Sequence, residues 1–168
     1  ISNKVGGGGA TAASYLADKK GDPHVVGIFT SVWITNPLVQ QEANISIREL
    51  TPISLMLTEP ALIVVRADSP YKTLADLAKA LRENPESVPI GTSGSAGGAN
   101  HIAAGLLAKA AGADVKKLKV VIYGGGGEAL TATLGGHVAV WVNSASSIAA
   151  PYAAGTIRPL AIAAPQRL

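Results

Sequence analysis

Cysteine is absent from this chain of 168 residues, and aromatic residues make up only 4% of it. The lack of cysteine excludes disulfides, thiolate metal sites and cysteine nucleophiles. So few aromatic side chains leave no evident stacking platform for single-stranded nucleic acid. No apolar run approaches the roughly eighteen residues of a membrane-spanning helix, so no segment is predicted to cross a bilayer.

Charge is also scarce, at 15% of residues, and the net charge is only +3. Lysine and arginine are scattered, and the one cluster, at Lys116, Lys117 and Lys119, is more typical of a solvated strand start than of a polyanion groove. Apolar residues reach 48%, which is enough to bury a core in one domain or two small ones. We therefore expect a globular protein without a nucleic-acid partner.

From Ala61 onward the chain alternates strand and helix patterns. Ala61–Arg66 is typical of a buried strand, and TLADLAKALREN has leucines at helical spacing with Thr73 as a suitable N-cap. Further strands are predicted at Val88–Gly91, LKVVIY, HVAVWVNS and IRPLAIAAP, with helices at Asn100–Gly112, EALTATLGG and ASSIAAPYAAG. This alternation predicts βαβ units, and hence an α/β fold with a mostly parallel sheet.

Before Ala61 the patterns are weaker. ATAASYLADKK predicts a short amphipathic helix, HVVGIFT a buried strand and SVWITNPLVQQ a loop that leads into a helical turn. The glycines Gly6–Gly9 predict a turn.

Two strand-to-helix connections consist almost entirely of small residues. Gly91–Asn100 reads GTSGSAGGAN, which is longer than the usual connection of about two to six residues. Gly124–Gly127 repeats the order of strand, glycines and helix, and Asn143, Ser144 and Ser146 follow a third strand. Bare helix N-termini on neighbouring strands, with Ser93 and Ser95 as hydroxyl donors, suit a carboxylate or phosphate. The alternative is a flexible connection that only allows close packing.

Catalytic motifs are incomplete. No lysine follows either glycine run at P-loop spacing, and GTSGS lacks the last glycine of a nucleophile elbow. The three histidines, His24, His101 and His137, are far apart, which predicts no metal site. We therefore expect no catalytic residue, metal or cofactor.

The chain resembles the extracytoplasmic substrate-binding proteins of tripartite tricarboxylate transporters, the Bug family, along essentially its whole length. The blocks that carry the resemblance are SNKVGGGGATAASYLADKKGDPHVVGIFTSVWITNPL, GTSGSAGGANHIAAGLL and VVIYGGGGEALTATLGGHVAVWVNSASSIAAPYAAGTIRPLAIAAPQRL. The resemblance implies a type II periplasmic-binding fold with two α/β lobes. It divides the chain into a partial first lobe at 1–66, a second lobe at 67–159 and a return crossover at 160–168. The family usually begins earlier and continues past this C-terminus, so the resemblance implies truncation at both ends, and the chain has no initial methionine.

The resemblance also implies which residues bind the ligand. The family's glycine-rich helix start falls on Gly94–His101, and its strand end on Tyr123–Gly125, where Gly124 replaces a common lysine. Asn143 stands where the family often has aspartate. The implied ligand-binding residues are Thr30, Ser31, Thr35, Ser93, Ser95, Ala96, Gly97, Gly98, His101, Tyr123, Gly124, Gly125, Asn143 and Ser144.

The function implied is capture of a small carboxylate in an interlobe cleft and its delivery to membrane transporter subunits, without catalysis. The expected protein is a periplasmic monomer whose signal peptide lies outside this chain or has been removed. Three alternatives stay open: a periplasmic sensor domain for the same ligands, an enzyme acting on an anionic substrate, and a folded remnant without a closed cleft.

Overall fold

A computed structural model describes residues 1–4, 6, 9–39 and 46–166. Gly7 and Gly8, from the predicted tetraglycine turn, lie outside the described residues. The fold divides into two compact units: unit 1 comprises 1–57 and 95–99, and unit 2 comprises 58–94 and 100–168.

The described part of unit 1 is mainly two short helices, α1 at Ala10–Asp18 and α2 at Val32–Val39, followed by a 3-10 turn at Ile47–Glu49. Trp33 is 7% exposed and meets the Phe29 ring edge-to-face, with 5.6 Å between centroids. Gly9 has a positive φ of 98°, and a Cβ there would lie 2.8 Å from Trp33 Nε1. The turn before α1 therefore requires glycine both for its backbone and for the indole.

The predicted strand HVVGIFT is absent. Residues 24–30 form no strand, and Val26, Ile28 and Phe29 are exposed. The apolar run Ile53–Leu57 is likewise outside any helix or strand. A β-branched run becomes a strand only when a neighbour satisfies its backbone groups, and no described segment pairs with either run.

Unit 2 contains a five-stranded sheet, with helices connecting successive strands. The strands are β1 (Ala61–Arg66), β2 (Ile90–Ser93), β3 (Val120–Tyr123), β4 (Val140–Ser144) and β5 (Ile157–Ile162), in the order β3-β2-β4-β1-β5. The helices are α3 (Leu74–Glu83), α4 (Ala99–Ala110), α5 (Gly126–Leu134) and α6 (Ala145–Ala153). Two further 3-10 turns lie at Pro85–Ser87 and Val115–Lys117.

The sheet is mixed. Strand β2 is parallel to β3 and β4, whereas β1 is antiparallel to both β4 and β5. Four strands therefore run in one direction and β1 alone runs in the other. The α/β fold of the prediction is confirmed, and its mostly parallel sheet is a mixed one because β1 inserts in reverse between β4 and β5. Both β1 and β5 belong to the sheet of unit 2, although the predicted lobes assigned β1 to the first lobe and ended the second at 159; those boundaries remain a prediction.

The core of unit 2 covers both faces of the sheet. Alternate residues of a strand point to opposite faces, so Ile63 and Val65 pack with Leu77 and Leu81 of α3, whereas Val64 packs on the other face. That second face also holds the fully buried Trp141, which packs with helices α5 and α6. Helix α3 begins with a capping box, in which Asp76 N–H donates to Thr73 Oγ1 over 3.2 Å and Thr73 N–H donates to Asp76 Oδ2 over 2.8 Å.

Candidate functional site

The carboxyl ends of β2, β3 and β4 lie at the same edge of the sheet because these strands are parallel. At this edge Ser93 is opposite Tyr123, and the main-chain N–H of Gly94 donates to Tyr123 O over 3.0 Å. The reversed β1 places Ala61 opposite Ser144. Residues just before β1 therefore reach the edge where ligands collect in α/β sheets.

Asn143 is the centre of a polar cluster at this edge. It is 2% exposed, and its Oδ1 accepts hydrogen bonds from Ser93 Oγ (3.1 Å), Asn100 Nδ2 (3.0 Å) and the Ser144 main-chain N–H (2.9 Å). The Ser144 N–H can only donate, which fixes the atom that faces it as the amide oxygen. The amide Nδ2 consequently points away from these donors, and it is buried without a hydrogen-bond partner.

The unpartnered Nδ2 points to the start of α5. A Cβ built on Gly126 would lie 3.1 Å from Asn143 Nδ2 and 2.9 Å from Ser147 Oγ. The first residue of α5 therefore packs directly against the buried amide, and glycine is the residue that fits there without displacing it. The helix N-terminus adds a partial positive charge there.

Near Asn143, the side chains of Ser144, Ser146 and Glu59 are linked by hydrogen bonds. Ser146 Oγ donates to Glu59 Oε1 over 2.9 Å, and Ser144 Oγ lies 3.0 Å from Ser146 Oγ. An ionised carboxylate only accepts, so the single hydroxyl hydrogen of Ser146 is directed to Glu59 and Ser144 must donate to Ser146. Ser144 therefore offers lone pairs rather than a hydrogen to anything else it meets.

The glycine run after β3 contributes less than the sequence suggested. The Gly124 main-chain N–H donates to Glu128 Oε2 over 3.1 Å, so it is already engaged. Gly125 is the N-cap of α5 and provides no side-chain cap. The cluster and its neighbours Glu59 and Glu128 include no lysine or arginine, so any anion binding here rests on neutral donors.

Five residues of the predicted site lie in the glycine-rich connection between β2 and α4 or in the first turn of α4. Ser95–Gly98 lie in unit 1, where the Gly98 N–H donates to Ser95 O over 3.0 Å and Ser95 Oγ is buried without a partner. His101 is half-buried in the first turn of α4, within unit 2. The roles of Ser95, Ala96, Gly97, Gly98 and His101 in binding stay predictions.

The remaining predicted residues lie at the start of α2, in unit 1. Thr30 O accepts from Trp33 N–H over 3.1 Å, and Ser31 O accepts from the N–H groups of Ile34 and Thr35. These bonds form the first turn of α2, and a ligand role for Thr30, Ser31 and Thr35 stays a prediction.

The sequence indicated Ser93, Asn143 and Ser144 correctly as neighbours, but the predicted site omitted Asn100, Gly126, Ser147 and Glu59. Asn100 and Gly126 had a usable signal, since both lie where a helix begins after a small-residue loop. Glu59 had none, because only the reversed direction of β1 brings it to this edge. Within the described ranges, no three His, Asp or Glu side chains are grouped to hold a metal ion, and no helix has both the length and the apolar character to cross a membrane.

Comparison with known proteins identifies the family. The model of the "Tripartite tricarboxylate transporter family receptor" matches residues 1–168. The chain belongs to this receptor family. A UPF0065 protein from the tcbD–tcbE intergenic region of Pseudomonas sp. (strain P51) is 30% identical over 166 residues, which are 96% of this chain and 47% of that protein. A UPF0065 protein from Agrobacterium vitis is 30% identical over 145 residues, 82% of this chain and 39% of that protein.

Three similar solved structures have the same fold. The protein Rpa4515 of R. palustris, determined with adipate, is 27% identical with a TM-score of 0.84, covering 99% of this chain and 55% of that one. A periplasmic transporter is 27% identical with a TM-score of 0.82, covering 100% and 56%. A TctC solute-binding protein from Polaromonas is 26% identical with a TM-score of 0.77, covering 100% and 56%. The family and these structures are solute-binding proteins rather than enzymes, and the chain spans about half of their length.

Proposed function

We propose that the full-length protein captures a small carboxylate and delivers it to the membrane subunits of a tripartite transporter. The observation that carries this proposal is the match of the receptor family to residues 1–168. It is supported by the position of the neutral polar side chains Ser93, Asn143 and Ser144 at the carboxyl ends of parallel strands, beside helix N-termini that suit a carboxylate. Binding of this kind requires no cofactor and no acid–base group.

The receptor family and the adipate-bound relative support the choice of ligand class. We further infer that the protein acts in the periplasm, because a similar solved structure is a periplasmic transporter, and that it is a monomer. Osmotic-shock fractionation and light scattering of the full-length protein test these two points. A cytoplasmic fraction or a stable dimer would contradict them.

A thermal-shift screen of small carboxylates on the full-length protein tests the ligand class, with adipate first. A ligand at about 100 times its Kd should stabilise the protein by about 2.7 kcal/mol. Gly126→Ala places a methyl group 2.9 Å from Ser147 Oγ and 3.1 Å from Asn143 Nδ2. This variant should therefore remove the stabilisation by the ligand. Gly127→Ala is the matched control, because a Cβ at Gly127 meets no atom within 4 Å. The proposal fails if no carboxylate stabilises the protein, or if both variants respond as the wild type does.

A further inference from the structure

We propose that helix α4 and the turn after it form the surface by which this receptor docks on the membrane subunits of its transporter. The inference rests on the proposed function and adds to it the place of contact and the chemistry of the partner. The partner surface is expected to present an apolar centre bordered by carboxylate groups. The residues that carry the inference lie outside the Asn143 cluster.

The solvent-facing side of α4 is apolar. Ile102 and Leu106 lie one turn apart on it and are 41% and 59% exposed, whereas Ala104 and Ala108 on the other side are buried. Helix α3 covers the same face of the sheet, and its exposed residues are mostly charged. These are Asp76, Lys79, Arg82 and Glu83. The outer side of α4 therefore lacks the charged covering that solvates its neighbour.

Exposed apolar side chains continue beyond α4. Tyr123 packs on the face of the sheet that holds Trp141, so Ile122, its neighbour along β3, points to the opposite face, on which α4 packs. Ile122 is exposed, and so is Val115 in the turn after α4. Single exposed apolar residues are ordinary, but several on adjacent elements are typical of an interaction surface.

The positive charge of the chain is concentrated at the end of this surface. Residues 99–119 contain four lysines and one acidic residue, so their net charge of +3 equals that of the whole chain. All four lysines are exposed, and none takes part in either ion pair found within the described ranges. They are Lys109, Lys116, Lys117 and Lys119. The acidic residue, Asp114, accepts from the Lys116 main-chain N–H over 3.0 Å. The surface therefore suits a partner that supplies carboxylates.

This charge argues against a second copy of the chain as the partner. A self-complementary contact would bring the lysines of one copy against a surface that has no carboxylates to pair with them, apart from Asp114. The lack of any aromatic residue in 99–119 argues against a lipid surface, because aromatic side chains are typical anchors of interfacial helices.

Gly105 favours a protein partner. It lies between Ile102 and Leu106 on the solvent-facing side, its φ is not positive, and a Cβ there would meet no atom within 4 Å. Neither the packing nor the backbone conformation therefore requires glycine, although glycine weakens a helix. The bare position leaves room for a side chain of the partner between the two apolar residues.

The test measures how the full-length receptor, loaded with adipate, binds the purified membrane subunits of its transporter in nanodiscs of phosphatidylcholine. Leu106→Glu places a carboxylate at the centre of the surface, and we expect it to weaken binding by more than about tenfold. Leu134→Glu is the matched control, because Leu134 is exposed at the end of α5, which packs on the opposite face of the sheet. It should bind as the wild type does.

Charge reversal tests the lysines separately. The double variant Lys116→Glu, Lys117→Glu should associate about tenfold more slowly at low salt, and added salt should slow it less than it slows the wild type. Lys19→Glu, Lys20→Glu is the matched control, since it makes the same change of charge at an exposed lysine pair in unit 1. Equal losses in the two double variants would assign the effect to net charge and overturn the docking surface.

Thermal stabilisation by adipate separates this proposal from the proposed function, and all four variants should keep it. A wild type that is stabilised by adipate but does not bind the subunits, or binds them no better than Leu106→Glu does, overturns the docking surface and leaves carboxylate capture standing. Equally strong binding to vesicles of phosphatidylglycerol, or a dimer that Leu106→Glu dissociates, overturns it as well. A wild type that no carboxylate stabilises contradicts the capture, whereas the nanodisc measurement still decides the docking.

Discussion

Two apolar stretches, one in each unit, adopt different structures, and Ala61–Arg66 has three β-branched residues whereas Ile53–Leu57 has one. Ala61–Arg66 in unit 2 is a paired strand, in which Val64 and Val65 are 0% exposed. Ile53–Leu57 in unit 1 is unpaired, and Leu55 is 85% exposed. Composition gives a segment the capacity to form a strand, but neighbouring strands decide whether it does.

The largest expected effect compares the two tryptophans of the chain. Trp141→Ala should lower the free energy of unfolding by about 3–5 kcal/mol, because a fully buried indole leaves a cavity between the sheet and α5. Trp33→Ala should cost less, since neighbours such as Phe29 are partly exposed and can collapse onto the gap. Urea unfolding followed by circular dichroism measures both.

The same two variants separate the units spectroscopically. The chain has only two tryptophans, so fluorescence reports Trp33 of unit 1 in one variant and Trp141 of unit 2 in the other. Equal losses of stability would show that the two cores are equally well packed and would remove the contrast.

An intermediate effect is expected from a hydroxyl placed in each apolar stretch. Val65→Thr keeps the shape of the side chain but buries a hydroxyl, which should cost about 1–3 kcal/mol. Leu55→Thr lies on an exposed side chain and should change the free energy of unfolding by less than about 0.5 kcal/mol. Thermal unfolding measures both, and a large loss for Leu55→Thr would show that this stretch is covered in the full-length protein.

The smallest effect concerns the two capping boxes, Thr73 with Asp76 in unit 2 and Ser46 with Glu49 in unit 1. Thr73→Ala should cost about 1 kcal/mol, because the ten-residue helix α3 loses its N-cap acceptor. Ser46→Ala should cost less, since it caps a 3-10 turn of three residues. Urea unfolding at neutral pH compares the two.

The stability of the protein at low pH also tests the capping box of Thr73 and Asp76. Hydrogen bonds from the Thr73 main chain and side chain lower the pKa of Asp76 below its usual 3.8. A carboxyl group whose pKa is lowered by folding stabilises the folded state at pH values above its pKa in the unfolded chain. This stabilisation is lost as the pH falls through its pKa in the folded state. Below about pH 4 the wild type should therefore lose more stability than Asp76→Asn. Parallel acid titrations would contradict the role of the cap.

Much of unit 2 could be predicted from sequence because its signals are local. Leucine spacing and Thr73 defined α3, and the apolar runs defined the five strands to within a few residues. Strand direction could not be predicted, since the reversal of β1 depends on pairing with residues about eighty and ninety positions later, such as Ser144 and Ile157. Glu59 was missed for that reason.

The grouping of the candidate residues was predictable for a different reason. Small residues at the carboxyl ends of parallel strands lie at the same edge of a sheet, which is why Ser93, Asn143 and Ser144 were expected to be neighbours; their role in binding stays a prediction. The direction of each hydrogen bond was not predictable. That Oδ1 of Asn143 is fully used, that the Gly124 N–H is engaged by Glu128 and that Ser144 donates to Ser146 all depend on atomic positions.

The reversed direction of β1 also determines which connections of unit 2 lie near Asn143 and which can change in length without affecting it. The turns before β2, β3, β4 and β5, and the one after β1, all lie at the sheet edge remote from Asn143. Insertions or deletions there would leave the Asn143 cluster unchanged. At the opposite edge the chain enters the sheet after Glu59 and leaves it after Ile162, so length changes on that side would disturb this cluster directly.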